Sequence, residues 1–163
     1  MFDLFAVLQK LCLVSEQSQN LVSKGFIDWK KSKAFAEKVI NQFDVRTPGS
    51  QNTAGSLSGG NLQKFVIGRE ILQNPTVFIV NQPTWGVDAA AASSIRQALL
   101  TLSESGAAIL VISQDLDELL EISDRFAALN EGTLSQIKKT ADLSFEQIGL
   151  MMGGAKDLAA RNV

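Results

Sequence analysis

A short stretch of small and polar residues, Leu57 to Asn61 with Gln63 close behind it, has the chemistry of an anion-binding site. The stretch is Leu-Ser-Gly-Gly-Asn, and it opens an amphipathic segment that we expect to be helical from about Asn61 to Leu72. Glycines let backbone N–H groups approach an anion closely, and the N-terminal end of a helix favours negative charge. Taken alone, such a string also fits a flexible helix entrance, so both interpretations stay open.

Two apolar runs downstream predict strands, at Val77 to Val80 and at Ala108 to Ile112. The segment between them predicts a helix over roughly Ala89 to Ser103. A strand, a helix and a strand within about thirty residues predict a right-handed βαβ unit with parallel strands. Polar residues follow both strands, at the carboxyl ends where ligands bind in such sheets.

In this order and at these spacings, the motifs resemble the signature helix, Walker B strand, D-loop and switch strand of an ATP-binding-cassette (ABC) ATPase. The stretches that carry the resemblance are LSGGNLQKFVIGREI, NQPTWGVDAAAA, ISQDLDEL and the closing GLMMGG. Their wording is most similar to the C-terminal part of the second cassette of simple-sugar and purine-nucleoside importer ATPases, and it covers about Gly25 to Gly154. The resemblance implies an α/β fold class, a partial P-loop NTPase core with parallel βαβ strands plus a helical signature subdomain, with the P-loop strand missing.

The motif GxxxxGK[ST], whose backbone and Lys cradle nucleotide phosphates, occurs nowhere in the sequence. The pairs Gly59-Gly60 and Gly153-Gly154 lack the Lys-Ser/Thr that would have to follow. We therefore expect the chain alone to bind no nucleotide tightly and to be inactive as an ATPase. The resemblance implies that the P-loop strand, the adenine-stacking aromatic and the Gln loop lie upstream of Met1.

The resemblance also implies a role in trans for the signature. In the family two cassettes face each other, and ATP is held between the P-loop of one and the signature of the other. Here Ser58 Oγ and the backbone N–H groups of Gly59 and Gly60 would contact the γ-phosphate of ATP held by the partner. Asn61, which departs from the commonest Gln, and Gln63 would shape the helix entrance.

Three positions that carry catalytic groups in the family are amides in this chain. Asn81 and Gln82 stand where the Walker B Asp and the catalytic Glu are expected, and Gln114 stands where a switch His is expected. An amide neither attracts Mg²⁺ as a carboxylate does nor accepts a proton at neutral pH. The three together predict that this cassette's own site does not hydrolyse ATP, and we expect no metal ligands in the chain.

Other polar and aromatic residues near these motifs have two candidate roles each. Asp88 matches the D-loop Asp that couples the two sites, and it is also a candidate N-cap of the following helix. Trp85 is an interface anchor or a core contact with about equal support. The acidic residues Asp115, Asp117 and Glu118 form a cluster that more plainly favours a helix N-terminus than a metal site.

The composition excludes several classes of protein. Lys and Arg (15) nearly balance Asp and Glu (17), so nothing points to nucleic acid, and the absence of His with a single Cys argues against zinc. No apolar run approaches the ~18 residues of a membrane span. The lone Cys12 lies in the apolar stretch Phe2 to Val14, which fits a buried residue in a reducing compartment; that stretch lacks a basic leader and a cleavage site.

The chain divides by composition and motif into four segments: 1–56 as the helical subdomain and linker, 57–75 as the signature helix, 76–143 as the RecA-like core portion, and 144–163 as the C-terminal helix and tail. Phe2 to Val14 and Trp29 to Phe43 predict helices, and Arg46 to Ser56 predicts a loop. Arg125 onward, through Leu134 to Thr140, predicts a hairpin or sheet-edge pair, and Ser144 to Met152 predicts the final helix.

Two classes of function remain open. The resemblance implies the ATP-binding component of an ABC importer, which would use ATP and Mg²⁺ with a partner cassette and membrane permease subunits on the cytoplasmic face of the membrane. The alternative is a non-catalytic interaction module, or the remnant of a truncated transporter gene. Because the P-loop strand would lie beside the switch strand, Ile109 to Ile112 should be an exposed apolar edge capable of self-association.

Overall fold

The computed structural model describes residues 21–23 and 26–154 of the 163. The predicted helix at Phe2 to Val14 and the residue Cys12 lie outside the described residues. The chain divides into two compact units, Met1–Gln114 and Asp115–Val163, and each is described here by itself. The fourfold division predicted from the sequence stays a prediction.

The first unit is a mixture of helices and strands. An antiparallel pair, β1 with β2, precedes the helices, and β3 pairs in parallel with β4 so that Val77 lies opposite Ala108 and Asn81 opposite Ile112. The bounds are β1 Val22–Ser23, β2 Phe26–Ile27, α1 Trp29–Gln42, a 3₁₀ turn Ala54–Ser56, α2 Gly59–Ile71, β3 Val77–Asn81, α3 Ala89–Glu104 and β4 Ala108–Ile112.

The predicted βαβ unit is confirmed, since α3 joins the two parallel strands β3 and β4. One face of this sheet is covered: Phe78 and Val80 are buried, as are the apolar residues Ile95, Leu99 and Leu102 of α3. The strand β4 matches its predicted bounds, and α3 runs one residue longer than predicted. The covered face therefore supplies part of the core of the unit.

The opposite face of the same sheet is exposed. Its members alternate with the buried residues along β3, and at its centre Ile79 of β3 lies opposite Leu110 of β4. They are 49–65% exposed: Val77, Ile79, Leu110 and Ile112. Parallel sheets are ordinarily covered on both faces, so this patch, called the exposed sheet face below, is unusual. Neither β3 nor β4 pairs with a further strand among the described residues.

Helix α2 packs between α1 and α3. Its predicted start was about Asn61, but it begins at Gly59, because Ser58 caps it and glycine is tolerated in an end turn. Gly68 lies against the ring of Phe43, so closely that an added methyl group would overlap the ring. Helix α1 buries Phe35 and Val39, and Asp28 caps its N-terminus.

The second unit is smaller and has its own core, formed by Phe126, Ala128 and Ile148. The predicted hairpin is confirmed around Glu131-Gly132, but the predicted strand over Leu134 to Thr140 is broken into two short strands that pair with different partners. The bounds are α4 Leu116–Ile122, β5 Arg125–Phe126, β6 Leu129–Asn130, β7 Thr133–Leu134, β8 Lys138–Lys139, a 3₁₀ turn Thr140–Asp142 and α5 Phe145–Met152.

Helix α5 confirms the predicted final helix, and it begins with a capping box in which Ser144 and Gln147 satisfy each other's backbone N–H groups. None of the described helices has the length and apolar character needed to cross a lipid bilayer.

Candidate functional site

The turn into α2 exposes its first backbone N–H groups. Ser58 is extended and its Oγ accepts a hydrogen bond from Asn61 N, so α2 starts directly after it. Gly59 is exposed, and a Cβ added there would meet nothing within 4 Å. Gly60 is different, because an added Cβ would lie 3.1 Å from the carbonyl oxygen of Gly86. The second glycine is thus tightly packed against the Gly86 carbonyl, whereas the first has open space around it.

The side chain of Asn61 links this turn to the loop before it. Its Oδ1 accepts a hydrogen bond from Arg46 N at 2.8 Å, and its Nδ2 donates to Ser58 Oγ at 2.9 Å. Asn61 is half-buried, whereas Ser58 is exposed. The predicted role of Asn61 in shaping the helix entrance thus has a specific form, a bridge between the loop and the serine.

Two cations that the sequence analysis did not single out lie at the same place. Lys64 is 7% exposed, and its Nζ donates to the backbone oxygen of Asp44 at 3.1 Å and lies 3.5 Å from Asp44 Oδ2. Asp44 has a left-handed backbone with φ of 47°. Arg46 follows two residues later. For Lys64 the sequence held a usable signal, because a residue four positions after Gly60 lies on the same side of α2.

These residues surround an open cleft of about 410 Å³, lined by Arg46, Ser58, Gly59, Gly60, Asn61, Lys64, Gly86, Val87 and Asp88. The structure therefore brings four of the five predicted signature residues together with Asp88, the predicted D-loop Asp. Asp88 Oδ1 accepts from Ala91 N at 2.8 Å, which confirms its role as an N-cap. This backbone hydrogen bond is the main cause that lowers the pKa of Asp88. Desolvation opposes the shift, and the positive charges of Lys64 and Arg46 add to it.

The fifth signature residue, Gln63, does not line the cleft. Its Nε2 donates to the backbone oxygens of Gln82 and Pro83, both at 3.1 Å. Gln82 has a left-handed φ of 52°, and its N–H donates to Ile112 O at 2.7 Å. Gln63 thus holds the signature helix to the loop that follows β3.

The three amides at the predicted catalytic positions lie outside the cleft. Asn81 is exposed at the end of β3, and Gln82 comes next. Gln114 lies two residues beyond β4, so the parallel pairing brings it to the same edge of the sheet as the other two.

Trp85 is 69% exposed, so its predicted alternative as a core contact is wrong. Asp115 caps α4 by accepting from Glu118 N, which confirms the helix-start interpretation of the acidic cluster.

The donor set of the cleft fits a phosphoryl group, because it offers a hydroxyl, helix N-terminal N–H groups and two cations. It does not fit Mg²⁺. The carboxylate in the cleft, Asp88, is engaged as a helix cap, and the described residues hold no cluster of three or more metal-binding side chains.

Curated relatives of the chain are import ATP-binding proteins. A nucleoside import ATP-binding protein of Lactococcus lactis is 38% identical over 148 residues, which is 91% of this chain and 29% of the relative. A glucose import ATP-binding protein of Haloferax volcanii is 41% identical over 136 residues, which is 82% of this chain and 25% of the relative. A guanosine import ATP-binding protein of Bacillus subtilis is 38% identical over 151 residues, which is 93% of this chain and 30% of the relative.

Solved structures with a similar fold are ABC cassettes. An ATP-binding cassette solved as a dimer bound to ADP and Pi has a TM-score of 0.68 at 22% identity, covering 85% of this chain and 60% of that one. A metal-chelate type ABC transporter in an inward-facing conformation has a TM-score of 0.71 at 18% identity, and the match covers 94% of this chain and 60% of that one. The chain belongs to the ABC ATPase family.

Both the resemblance inferred from the motifs and the α/β fold class of this ABC ATPase chain are confirmed. No family model matches the sequence. The chain spans about a quarter to a third of the length of the curated relatives and 60% of each of the two solved cassettes. The roles of the individual site residues stay predictions.

Proposed function

We propose that this chain supplies the signature motif in trans to a partner cassette of an ABC importer for nucleosides or simple sugars. The observation that carries the proposal is the cleft in which Ser58 Oγ and the N-terminal N–H groups of α2 converge beside Lys64 and Arg46. The γ-phosphate of ATP held by the partner would occupy this cleft. The import ATP-binding relatives support the solute class.

The chemistry of the chain in this role is electrostatic. Hydrogen bonds from N–H or O–H groups to a phosphoryl oxygen are roughly twice as strong as bonds between neutral groups. The cations Lys64 and Arg46 add a favourable potential, and the N-capping bond to Ala91 holds the Asp88 carboxylate at the start of α3. ATP and Mg²⁺ would be held by the partner's P-loop, where Mg²⁺ offsets phosphate charge; the chain alone should bind neither tightly.

The chain's own nucleotide site should not hydrolyse ATP. With amides at Asn81 and Gln82, the loop after β3 offers no carboxylate to hold Mg²⁺ or to accept a proton from water. Gln114 likewise does not titrate. The contact from Gln63 to the Gln82 carbonyl supports a structural role for this loop, one that fixes the signature helix.

The remaining parts of the chain would connect this site to a transporter. Segment 1–56 would transmit closure of the cassettes to membrane permease subunits, and the assembly would lie on the cytoplasmic face of the membrane. Segments 57–75 and 76–143 would carry the signature helix and the core portion, and 144–163 the C-terminal helix and tail.

The alternative, a non-catalytic module that acts by association, has one observation in its favour. The exposed sheet face is apolar and adjoins a strand β4 with one side unpaired among the described residues. A second copy of the chain could add to this edge.

The proposal is tested by Gly59→Asp in the assembled ATPase, meaning this chain together with the P-loop-bearing cassette it serves. An added Cβ at this position has open space around it, and an acidic residue at the first position of a helix is favourable for folding. The same carboxylate would repel a phosphate in the cleft. We expect this repulsion to lower the ATP hydrolysis rate by roughly 10²–10³, the same order as the cost of removing one preorganised oxyanion donor.

Phe145→Asp is the matched control, because Phe145 is exposed and also follows a serine N-cap at the first position of a helix. It should leave hydrolysis unchanged. Gln82→Glu should also leave it largely unchanged. If Gln82→Glu changes the rate more than Gly59→Asp does, the chain's own site performs the chemistry and the proposal is wrong.

A further inference from the structure

We infer that Asn61 is a positioning residue that makes the Ser58 hydroxyl an outward hydrogen-bond donor, so that the cleft selects an oxygen that can only accept. The inference rests on the proposed function and deepens it by naming the polarity of the group that Ser58 contacts. Its basis is the hydrogen-bond network of Asn61 with Arg46 and Ser58.

The orientation of the Asn61 amide follows from its neighbour. The Arg46 backbone N–H can only donate, so the atom of Asn61 that faces it at 2.8 Å must be the carbonyl oxygen. The NH₂ group of the same amide then necessarily faces Ser58 Oγ at 2.9 Å. Because the NH₂ group can only donate, the serine oxygen must act as an acceptor in that bond.

The acceptor capacity of Ser58 is therefore used by one residue. A serine hydroxyl has one hydrogen to donate and two acceptor lone pairs. Asn61 fills both acceptor positions, with its side-chain Nδ2 at 2.9 Å and its backbone N at 3.5 Å. Among the described residues, both hydrogen bonds found at the Ser58 hydroxyl are ones that it accepts, so its hydrogen is available to a ligand in the cleft that Ser58 lines.

The loop that orients Asn61 is itself held to α2. Asp44 has a left-handed backbone that is uncommon for a residue with a side chain. Lys64 Nζ donates to the Asp44 carbonyl oxygen at 3.1 Å, which ties the loop to the helix two residues before Arg46. Lys64 thus holds the loop, Arg46 of that loop holds Asn61, and Asn61 holds the serine hydroxyl.

This arrangement has a consequence for the ligand. A hydroxyl whose lone pairs are both occupied binds an ionised phosphoryl oxygen well, since such an oxygen only accepts. It binds poorly to a hydroxyl or amine that must itself donate a hydrogen bond, because the Ser58 oxygen has no free lone pair to accept it. The polarity of Ser58 therefore favours a fully ionised terminal phosphate.

The test compares Asn61→Asp with Asn61→Leu in the assembled ATPase, with Mg-ATP as the probe. A carboxylate still accepts from Arg46 N, but it would also accept from the Ser58 hydroxyl and turn its hydrogen away from the cleft. Position 61 is the third residue of α2, where an acidic side chain is favourable for folding. Leucine removes both hydrogen bonds and leaves the serine hydroxyl free to rotate.

We expect kcat/KM to fall at least tenfold in Asn61→Asp and less in Asn61→Leu. A role in folding alone predicts the opposite order, because Asp keeps the link to Arg46 and Leu does not. Thermal unfolding of each variant separates the two effects. An activity at least as high for Asn61→Asp as for Asn61→Leu would overturn the inference.

Repeating both substitutions in a Ser58→Ala background tests whether Asn61 acts through the serine. There we expect Asn61→Leu to change kcat/KM by less than about threefold, and the loss in Asn61→Asp to shrink to the part that its charge exerts directly on the phosphate, because no hydroxyl remains to be oriented. An undiminished loss in Asn61→Asp would mean that its charge acts directly on the phosphate, and the inference would be wrong. If Ser58→Ala and Gly59→Asp both leave hydrolysis unchanged, the proposed function itself fails; if they lower it while the Asn61 effects persist without Ser58, only the inference fails.

Discussion

The exposed sheet face predicts that the isolated chain associates with itself, and Leu110→Lys should prevent this. Leu110 is 54% exposed, at the centre of β4, the strand with one side unpaired among the described residues. In the register of the sheet it lies beside Ile79, which is 65% exposed. A lysine there would place a charge in the middle of any apolar interface formed by this face.

The magnitude follows from the exposure of the four apolar side chains, which is 49–65%. Complete burial of such a side chain contributes about 1.5–3 kcal/mol, so covering the exposed part is worth roughly 1–1.5 kcal/mol each, or roughly 8–12 kcal/mol over two copies. Association costs at least about 4 kcal/mol, which leaves at most about 4–8 kcal/mol and a Kd no tighter than about 1 mM to 1 μM. Losing Leu110 from both copies removes about 2–3 kcal/mol, or roughly 30- to 160-fold in Kd.

Analytical ultracentrifugation over a wide concentration range measures this. The wild-type chain should sediment as a concentration-dependent mixture, and Leu110→Lys should shift it to monomer without loss of helical circular dichroism. Ile137→Lys is a matched control, since Ile137 is 51% exposed but lies in the second unit. A wild-type chain that stays monomeric at every concentration, or an equal effect of Ile137→Lys, would refute the reasoning.

Two further predictions concern folding. Gly68→Ala should lower the free energy of unfolding by about 1–3 kcal/mol in a urea titration, because its methyl group would overlap the Phe43 ring; Gly59→Ala, with open space around it, should cost less. For Asp88 the folded-state pKa is lowered below 3.8, mainly by the Ala91 N–H. Its charge therefore stabilises the fold above that ordinary value, and the stabilisation is lost as the pH falls through the folded pKa. The stability difference between wild type and Asp88→Asn, measured by urea titration at each pH, should accordingly be present at pH 7 and disappear towards pH 2; a difference that persists at pH 2 would contradict this.

The parts of the fold that could be predicted from the sequence are those with strong local signals. The strand β4 has a run of apolar residues bounded by Gly106 and Ser113, and its predicted ends match the structure. Asp88 and Ser144 precede helices as polar caps, and both act as caps in the structure. Local chemistry decides these boundaries, so a sequence alone suffices for them.

The rest of the site depends on contacts between residues far apart in the chain. The bond from Arg46 N to Asn61 spans fifteen residues, and the bond from Lys64 to Asp44 spans twenty. Nothing in the spacing of Arg46 marks its backbone as a donor to the signature. The prediction was wrong at Leu134 to Thr140, where the hairpin interpretation takes the segment after the turn as one strand; a change of partner divides it into two. Pairing partners are tertiary information.

The signature residues and the amides at the end of β3 differ in how they are held, and this difference argues against recovery of hydrolysis at the amides by a single substitution. Ser58 is supported by a network that reaches from Asn61 to Lys64. The loop after β3, by contrast, engages through its backbone, since the carbonyl of Gln82 accepts from Gln63 and its N–H donates to Ile112. Gln82→Glu would restore a carboxylate but neither a Mg²⁺ ligand at position 81 nor a P-loop Lys. A general base without a bound Mg-nucleotide has no water to activate against a phosphate, so we expect the contribution of this chain to catalysis to lie at the signature.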